Sequence, residues 1–296
     1  MSPAKIIDGK IISAIVKESL RPRILTLKEC GIIPGLAVIL VGDNPASQVY
    51  VGMKEKAFRE MEMFSQTYHL PANTSQQSLK TLIEQLNGDN RFHGILVQIP
   101  LPAPLDANEA ILQISPDKDA DGLHPTNIGR MVLGMTAPLP CTPHGILMML
   151  KYSGIDPSGK HVVVIGRSNI VGKPIANLLL QKRELGNATV TLCHTQTHDI
   201  QAICRQADIL IAAIGKAEFV DKSFVKPGCV VIDVGVNRVK DETTAKGYRL
   251  VGDVKYSEVS EIAEAITPVP GGVGVMTISM LLSNTVYLAE QSLFRR

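Results

Sequence analysis

The sequence has 296 residues, of which 45% are hydrophobic and 20% are charged. This composition excludes a disordered or fibrous chain and suffices for one large core or two ordinary ones. Thirty Lys and Arg residues against 28 Asp and Glu give a net charge of +2, so no strong charge points to nucleic acid or an anionic membrane as a partner. We therefore expect a small-molecule ligand.

The cysteines and the first residues favour a reducing compartment. The five cysteines are widely separated and follow no disulfide-framework or metal-ligand spacing. Charged residues interrupt the beginning of the chain before an apolar run reaches the length of a signal peptide. We expect a cytoplasmic protein with free thiols.

The first half of the chain alternates short apolar runs with helical patterns. Such alternation predicts parallel βαβ units. The predicted strands are 35–42, 67–70 and 94–100, and the predicted helices are 46–62, 76–87 and 106–114. Asp106 is a candidate N-cap for the last of these helices.

The second half predicts a Rossmann-type sheet. Residues 115–143 lose the periodicity and suggest a connection or functional loop, and a helix over 142–152 leads into the second unit. The predicted strands there are 161–166, 188–194, 207–215 and 229–235, with a helix over 172–183.

An uncharged stretch over 265–289 is long enough to span a membrane. Prolines and a glycine pair break its first half, so we expect a tight loop and then a buried helix from Val275. The sequence thus predicts an α/β protein with an N-terminal three-layer α/β catalytic domain and a Rossmann-type dinucleotide-binding domain. The catalytic domain spans 1–140, with 275–296 returning to it as a closing helix, and the second domain spans 141–274.

A glycine-containing turn follows the strand 161–166 and precedes a helix. Small residues and a helix N-terminus suit a pyrophosphate, although Ser168 replaces a glycine and Gly172 lies one residue late for GxGxxG. A structural turn capped by a serine is the alternative. No acidic residue closes the next strand before Asp199, whereas Arg167 and Thr195 could bind a 2′-phosphate, so the pattern favours NADP over NAD.

Three polar features suggest a second site. Tyr50 and Lys54 are four residues apart on one predicted helix, hence on one face, but a single helical lysine is most often a solvated cation. Gln98 interrupts an apolar strand, where a buried amide needs a partner. Asp117, Asp119 and Asp121 alternate in a loop but do not match a calcium-binding loop, so no metal is expected.

The chain resembles the bifunctional methylenetetrahydrofolate dehydrogenase/methenyltetrahydrofolate cyclohydrolases over nearly its whole length. The resemblance rests on several motifs in order: GDNPASQVYVGMKEKA (42–57), GILVQIPLP (94–102), DKDADGLHPTNIGR (117–130), PCTPHGI (140–146), VVVIGRSNIVGKP (162–174), VIDVGVNR (231–238), GDV (252–254) and TPVPGGVGVMT (267–277). It implies a cleft between the two domains, a homodimer, a folate substrate, and no nucleic-acid or membrane partner.

The resemblance also implies residue roles. Tyr50 would stack on the folate, Lys54 would be the catalytic amine, Gln98 would orient it, and Asp121 would bind the pterin. The implied substrate-binding residues are Tyr50, Val51, Gly52, Met53, Lys54, Val97, Gln98, Ile99, Asp121, Pro270, Gly271, Gly272, Val273 and Gly274. The implied cofactor contacts are Gly166, Arg167, Ser168, Thr195 and Val236.

The implied activity is NADP-dependent oxidation of 5,10-methylenetetrahydrofolate followed by hydrolysis to 10-formyltetrahydrofolate. A dehydrogenase without the hydrolytic step and an inactive NADP-binding regulatory protein are the alternatives. The sequence departs from the family pattern at Val275, where proline is usual, and at Val236, where isoleucine is usual. Met63 and Phe64 replace a common Gly-Ile pair.

Overall fold

The computed structural model describes residues 4–244 and 247–294. The helices of these residues are α1 Gly9–Glu29, α2 Pro45–Glu60, α3 Gln76–Gly88, α4 Ala107–Gln113, α5 Pro125–Val132, α6 Cys141–Tyr152, α7 Gly172–Leu180, α8 Ile200–Cys204, α9 Tyr256–Val259 and α10 Val273–Leu293. The strands are β1 Lys5–Ile6, β2 Gly35–Val41, β3 Phe64–Leu70, β4 Gly94–Val97, β5 His161–Ile165, β6 Thr189–Cys193, β7 Ile209–Ala212, β8 Val230–Asp233, β9 Asn237–Lys240, β10 Tyr248–Val251 and β11 Ala265–Ile266.

The chain divides into two compact units, and the predicted α/β class is confirmed. The six-stranded unit comprises residues 4–14 and 142–277, and the three-stranded unit comprises 15–141 and 278–294.

The six-stranded unit is built on a parallel sheet in the order β1-β11-β8-β7-β5-β6. Strands β7 and β8 are buried throughout, and both are apolar apart from Asp233 at the end of β8. Strand β5 pairs with β6 on one side and with β7 on the other, so the strand order reverses there. In open α/β sheets, ligands bind at the carboxyl ends of the strands beside such a reversal.

The three-stranded unit is built on the parallel sheet β3-β2-β4. Every residue of the central strand β2 is buried. Helix α3 buries Leu79, Ile83 and Leu86, which recur at helical spacing and pack into one core with Ile39 and Ile95. This core gives α2 and β4 a fixed platform.

Several predicted element boundaries need correction. Strand β4 ends at Val97 rather than at residue 100, β3 begins at Phe64 rather than at 67, and the predicted loop 115–143 contains helix α5. His124 caps α5 by accepting the N–H of Thr126, with Pro125 in the first turn. The strand 207–215 is shorter than predicted because Ala213, Ile214 and Gly215 belong to a turn beyond β7.

The first residues of the chain also lie in a different unit from the one predicted. We assigned 1–140 to the N-terminal domain, but Lys5 and Ile6 pair with Ala265 and Ile266 at the edge of the six-stranded sheet. The described residues 4–14 therefore group with the six-stranded unit.

Helix α10 is long and apolar enough, by composition, to cross a membrane, but 67% of its most apolar window is buried inside the protein. Its C-terminal part belongs to the three-stranded unit, where Asn284 Nδ2 donates to the carbonyls of Ala120 and Leu139. Val275 lies in the first turn, and its N–H reaches Gly272 O at only 3.4 Å. A proline at position 275 would remove only this long hydrogen bond, since N–H groups of a first turn lack partners within the helix.

Candidate active site

Helix α2 presents a buried amine next to an exposed aromatic ring. Asn44 caps the helix by accepting the N–H groups of Ala46 at 3.0 Å and Ser47 at 3.1 Å. One turn separates Tyr50, which is 42% exposed, from Lys54, which is 8% exposed. The interpretation of Lys54 as a solvated cation is therefore wrong.

Gln98 holds the Lys54 amine in one orientation. Its Oε1 accepts a hydrogen bond from Lys54 Nζ at 2.8 Å, and its Nε2 donates to the carbonyl of Ile99 at 2.8 Å. The second bond fixes which end of the amide faces Lys54. The main chain of Gln98 is fixed as well, because its N–H donates to Ile39 O at 2.8 Å in β2.

The surroundings of Lys54 lower the pKa of its amine. Burial lowers the pKa of Lys54, and the nearby charge of Asp121 and the thiol of Cys141 oppose that shift. Burial, followed by the negative charge of Asp121, raises the pKa of Cys141 well above its ordinary value. The site thus combines a neutral thiol, a carboxylate and an amine whose proton is weakly held.

Two residues not assigned from the sequence hold the loop that carries Asp121. Asp119 is 2% exposed and accepts hydrogen bonds from the N–H groups of Leu123 and His124 and from Asn127 Nδ2. Asn284 binds Ala120 O at 2.9 Å. Of the three alternating aspartates, Asp121 is the one whose charge acts on the pKa of Lys54, and spacing alone did not distinguish them.

The other predicted substrate-binding residues differ in accessibility. Val51 and Val97 are buried, whereas Gly52, Met53 and Ile99 are exposed. The segment 270–274 lies in the six-stranded unit, where Gly9 N donates to Gly271 O at 3.0 Å. A Cβ on Gly9 would lie 2.2 Å from Gly272 O, so the two backbones are in direct contact.

The turn between β5 and α7 is closed by two glycines in backbone contact. A Cβ on Gly172 would lie 1.9 Å from Gly166 O, and Gly166 has a φ of +115°. Ser168 Oγ accepts the N–H groups of Val171 at 3.2 Å and Gly172 at 3.3 Å. The serine-capped turn of the alternative interpretation is therefore present, and the contact between Gly166 and Gly172 closes it. Phosphate binding by this turn stays a prediction.

The predicted cofactor contacts are accessible. Arg167, Ser168 and Thr195 are exposed, and Val236 is 48% exposed. In the described ranges, the Arg167 guanidinium enters no ion pair with a carboxylate. A guanidinium that pairs with no described carboxylate and lies beside the amino end of α7 fits a phosphate-bearing dinucleotide.

Within residues 4–244 and 247–294, no group of three or more His, Cys, Asp or Glu side chains is arranged to hold a metal ion. The features present define a two-unit α/β protein in which one unit carries a dinucleotide-type turn and the other a buried, oriented amine.

Family models match both halves of the chain. Residues 7–121 match the catalytic domain, and residues 140–293 the NAD(P)-binding domain, of tetrahydrofolate dehydrogenase/cyclohydrolase. The chain belongs to the tetrahydrofolate dehydrogenase/cyclohydrolase family.

Individual relatives align with this chain over nearly their full lengths. The chain is 53% identical to the bifunctional protein FolD of Geotalea daltonii, covering 97% of this chain and 99% of the relative. It is 55% identical to that of Chlorobium chlorochromatii, covering 95% and 96%.

Two solved structures share the fold. The bifunctional FolD enzyme of Campylobacter jejuni has a TM-score of 0.92 at 48% identity, covering 98% of this chain and 99% of that one. The Trypanosoma brucei enzyme, solved with NADP cofactor and an inhibitor, has a TM-score of 0.92 at 39% identity, covering 99% of each chain.

Proposed function

We propose that this chain oxidises 5,10-methylenetetrahydrofolate to 5,10-methenyltetrahydrofolate with NADP and hydrolyses the product to 10-formyltetrahydrofolate. The observation that carries this proposal is the buried Lys54 amine, which Gln98 orients at 2.8 Å and Asp121 faces. Membership of the family supports both reactions.

Lys54 provides the proton acceptor for hydrolysis. As water attacks the methenyl carbon, a C–O bond forms and the neutral Lys54 amine takes one proton of the water. The bond from that carbon to N5 then breaks, N5 takes the proton back from the Lys54 ammonium, and the hydroxyl proton leaves to solvent as the formyl C=O forms. Gln98 Oε1 occupies one N–H of the amine, so the lone pair stays available for this transfer.

Tyr50 and Asp121 are proposed to bind the substrate. The ring of Tyr50 is exposed one turn before the amine, where it can stack on the aromatic part of the folate. The Asp121 carboxylate can accept hydrogen bonds from N–H groups of the pterin. The assignment of segment 270–274 to folate binding stays a prediction.

The β5–α7 turn is proposed to hold NADP. Gly166 and Gly172 close the turn. The amino end of α7 and Ser168 would hold the pyrophosphate, and Arg167 and Thr195 would bind the 2′-phosphate. Val236 would contact the cofactor through its exposed side chain. When bound, NADP accepts the hydride from the one-carbon unit.

The test compares Lys54→Met with Lys56→Met. Lys56 is on the same helix but exposed, with an ion pair to Glu60 at 3.8 Å. We expect Lys54→Met to slow hydrolysis of added methenyltetrahydrofolate by at least about 100-fold. Binding of a folate analogue should be retained, and Lys56→Met should behave as the wild type.

The wild-type assays separate the alternatives. NADPH formation without hydrolysis would indicate a dehydrogenase lacking the second activity. NADP binding without any turnover would indicate a regulatory protein. Hydrolysis at the wild-type rate in Lys54→Met would contradict the role of the amine.

We also propose that the protein acts in the cytoplasm as a homodimer, without nucleic acid or membrane. The near-neutral charge of +2 supports the last point. Sedimentation equilibrium at micromolar concentration measures the oligomeric state directly.

A further inference from the structure

Two buried carboxylates lie in the six-stranded unit outside the site of Lys54. Asp233 ends β8 and is 3% exposed, and Asp253 follows β10 and is 0% exposed. Buried carboxylates persist only when hydrogen bonds compensate for lost hydration. Their partners therefore show what these two residues do.

The Asp253 carboxylate links the turn after β7 to the beginning of β9 through hydrogen bonds. Its Oδ2 accepts the consecutive N–H groups of Ile214 at 2.6 Å and Gly215 at 2.9 Å. Its Oδ1 accepts Asn237 Nδ2 at 2.9 Å. One side chain thus fixes two segments that lie far apart in the sequence.

Asp233 holds Asp253 in place through the main chain. Asp233 Oδ1 accepts the N–H groups of Gly235 at 3.0 Å and Asp253 at 2.9 Å, and Oδ2 accepts that of Val254 at 3.0 Å. Burial, opposed by these donors and reinforced by the charge of Asp253, raises the pKa of Asp233 to about 7. Thr267 Oγ1 accepts the N–H of Asp233 at 2.7 Å and anchors the strand end.

The segments that this pair holds lie directly behind the proposed cofactor contacts. A Cβ on Gly166 would lie 2.1 Å from Ala213 O. The turn that Asp253 fixes therefore packs directly against the β5–α7 turn. A Cβ on Gly235, next to Val236, would lie 2.2 Å from Asp253 Oδ1. Asp253 therefore packs directly against Gly235, and it reaches the β5–α7 turn through the Ala213–Gly215 segment.

We propose that Asp253, held by Asp233, is a positioning residue that sets the geometry of the NADP site from behind Gly166 and Val236. This inference rests on the proposed function, since it assumes that the dinucleotide binds at this sheet edge. Asp253 acts through the backbone that it fixes and not by touching the cofactor.

The hydrogen-bond pattern allows an exchange test. In Asp253→Asn, the amide oxygen can still accept from Ile214 and Gly215, but its NH2 then opposes the NH2 of Asn237, so the Asn237 amide must rotate to present its oxygen. The double variant Asp253→Asn/Asn237→Asp restores a donor opposite an acceptor at the same positions. Asp241→Asn is a control on the same hairpin, since the hydrogen bonds of that carboxylate go to Thr243.

The experiment measures the KM for NADP in the full-length protein, together with hydrolysis of added methenyltetrahydrofolate, which needs no hydride transfer. We expect Asp253→Asn to raise the KM for NADP by about ten- to a hundredfold while hydrolysis stays within about threefold. The double variant should recover the wild-type KM to within about threefold, and Asp241→Asn should not change it.

Two outcomes would overturn the inference. One is an unchanged KM for NADP in Asp253→Asn. The other is a double variant that hydrolyses methenyltetrahydrofolate normally but binds NADP as poorly as Asp253→Asn. Wild-type protein that never reduces NADP would instead refute the proposed function, so the two failures are distinguishable.

Discussion

At the scale of single residues, Asp121 and Lys54 affect each other through charge. The Asp121 carboxylate favours the protonated ammonium and so limits how far burial lowers the pKa of Lys54. In Asp121→Asn the pKa of Lys54 should fall further. The rise of kcat for hydrolysis with pH should then move to lower pH by about 0.5 to 1 pH unit.

The control for this prediction is Asp117→Asn in the same loop. Its carboxylate lies 4.0 Å from Arg130 rather than beside Lys54. The pH dependence of kcat is measured at saturating substrate, because Asp121 is also a proposed folate ligand. A profile in Asp121→Asn that moves to higher pH would contradict the charge coupling.

His144 in α6 should make stability depend on pH. In the residues described, its Nδ1 is buried and without a hydrogen-bond partner, and burial together with the charge of Arg183 lowers its pKa to about 4. The unfolded chain binds this proton near pH 6.5, so the folded state should lose stability as pH falls from about 6.5 to 4. The loss should reach up to about 3 kcal/mol.

The measurement is urea unfolding of the wild type and of His144→Phe between pH 7.5 and 4. The variant lacks the titrating ring, so the difference between the two unfolding free energies should decrease on acidification. An equal decline in both proteins would show that His144 does not contribute.

Residue-level predictions from the sequence succeeded where local spacing determines the position of a side chain. They failed where tertiary contacts determine its surroundings. The four-residue spacing placed Tyr50 and Lys54 together on α2. Nothing local distinguishes Asp119 from Asp121, because the burial of Asp119 depends on the path of its loop and on Asn127. Asp253 was visible only as part of a family motif, since its partners come from distant segments.

At the scale of elements, the β5–α7 turn depends on the contact between its two glycines. Gly172→Ala would place a Cβ 1.9 Å from Gly166 O, so the turn must open. We expect the KM for NADP to rise by at least about tenfold, since binding depends on how the turn is held, with little change in hydrolysis of added methenyltetrahydrofolate. Gly129→Ala is the matched control, because its Cβ would meet no atom within 4 Å.

The elements predicted correctly are those with a strong apolar period. β2, β5 and α3 follow continuous apolar or i, i+4, i+7 patterns. Helix α5 was missed because Pro125 and a short polar sequence resemble a loop, although His124 and Pro125 form its N-terminal cap. The β9–β10 hairpin was missed because each strand has only four residues, too few for a clear alternation of polar and apolar side chains. Pairing between the two strands stabilises it.

At the scale of the whole molecule, the units follow sheet membership rather than sequence order. The edge strand β1 belongs with residues 142–277, and the end of α10 belongs with residues 15–141. The sequence predicted that the last helix belongs with the N-terminal domain. It did not predict that β1 belongs with the other unit, because a two-residue strand carries no detectable period. The two proposed ligands are accordingly assigned to units and not to halves of the chain.

Hydrogen exchange in the full-length protein tests this assignment. A ligand at 100 times its Kd stabilises the state that binds it by about 2.7 kcal/mol, which slows exchange of the amides it covers by up to about 100-fold. NADP alone should protect residues 166–172 and 194–197 first, because these turns carry the proposed phosphate contacts. A folate analogue alone should protect residues 50–54 and 98–99 first, and the reverse pattern would show that the ligands had been assigned to the wrong units.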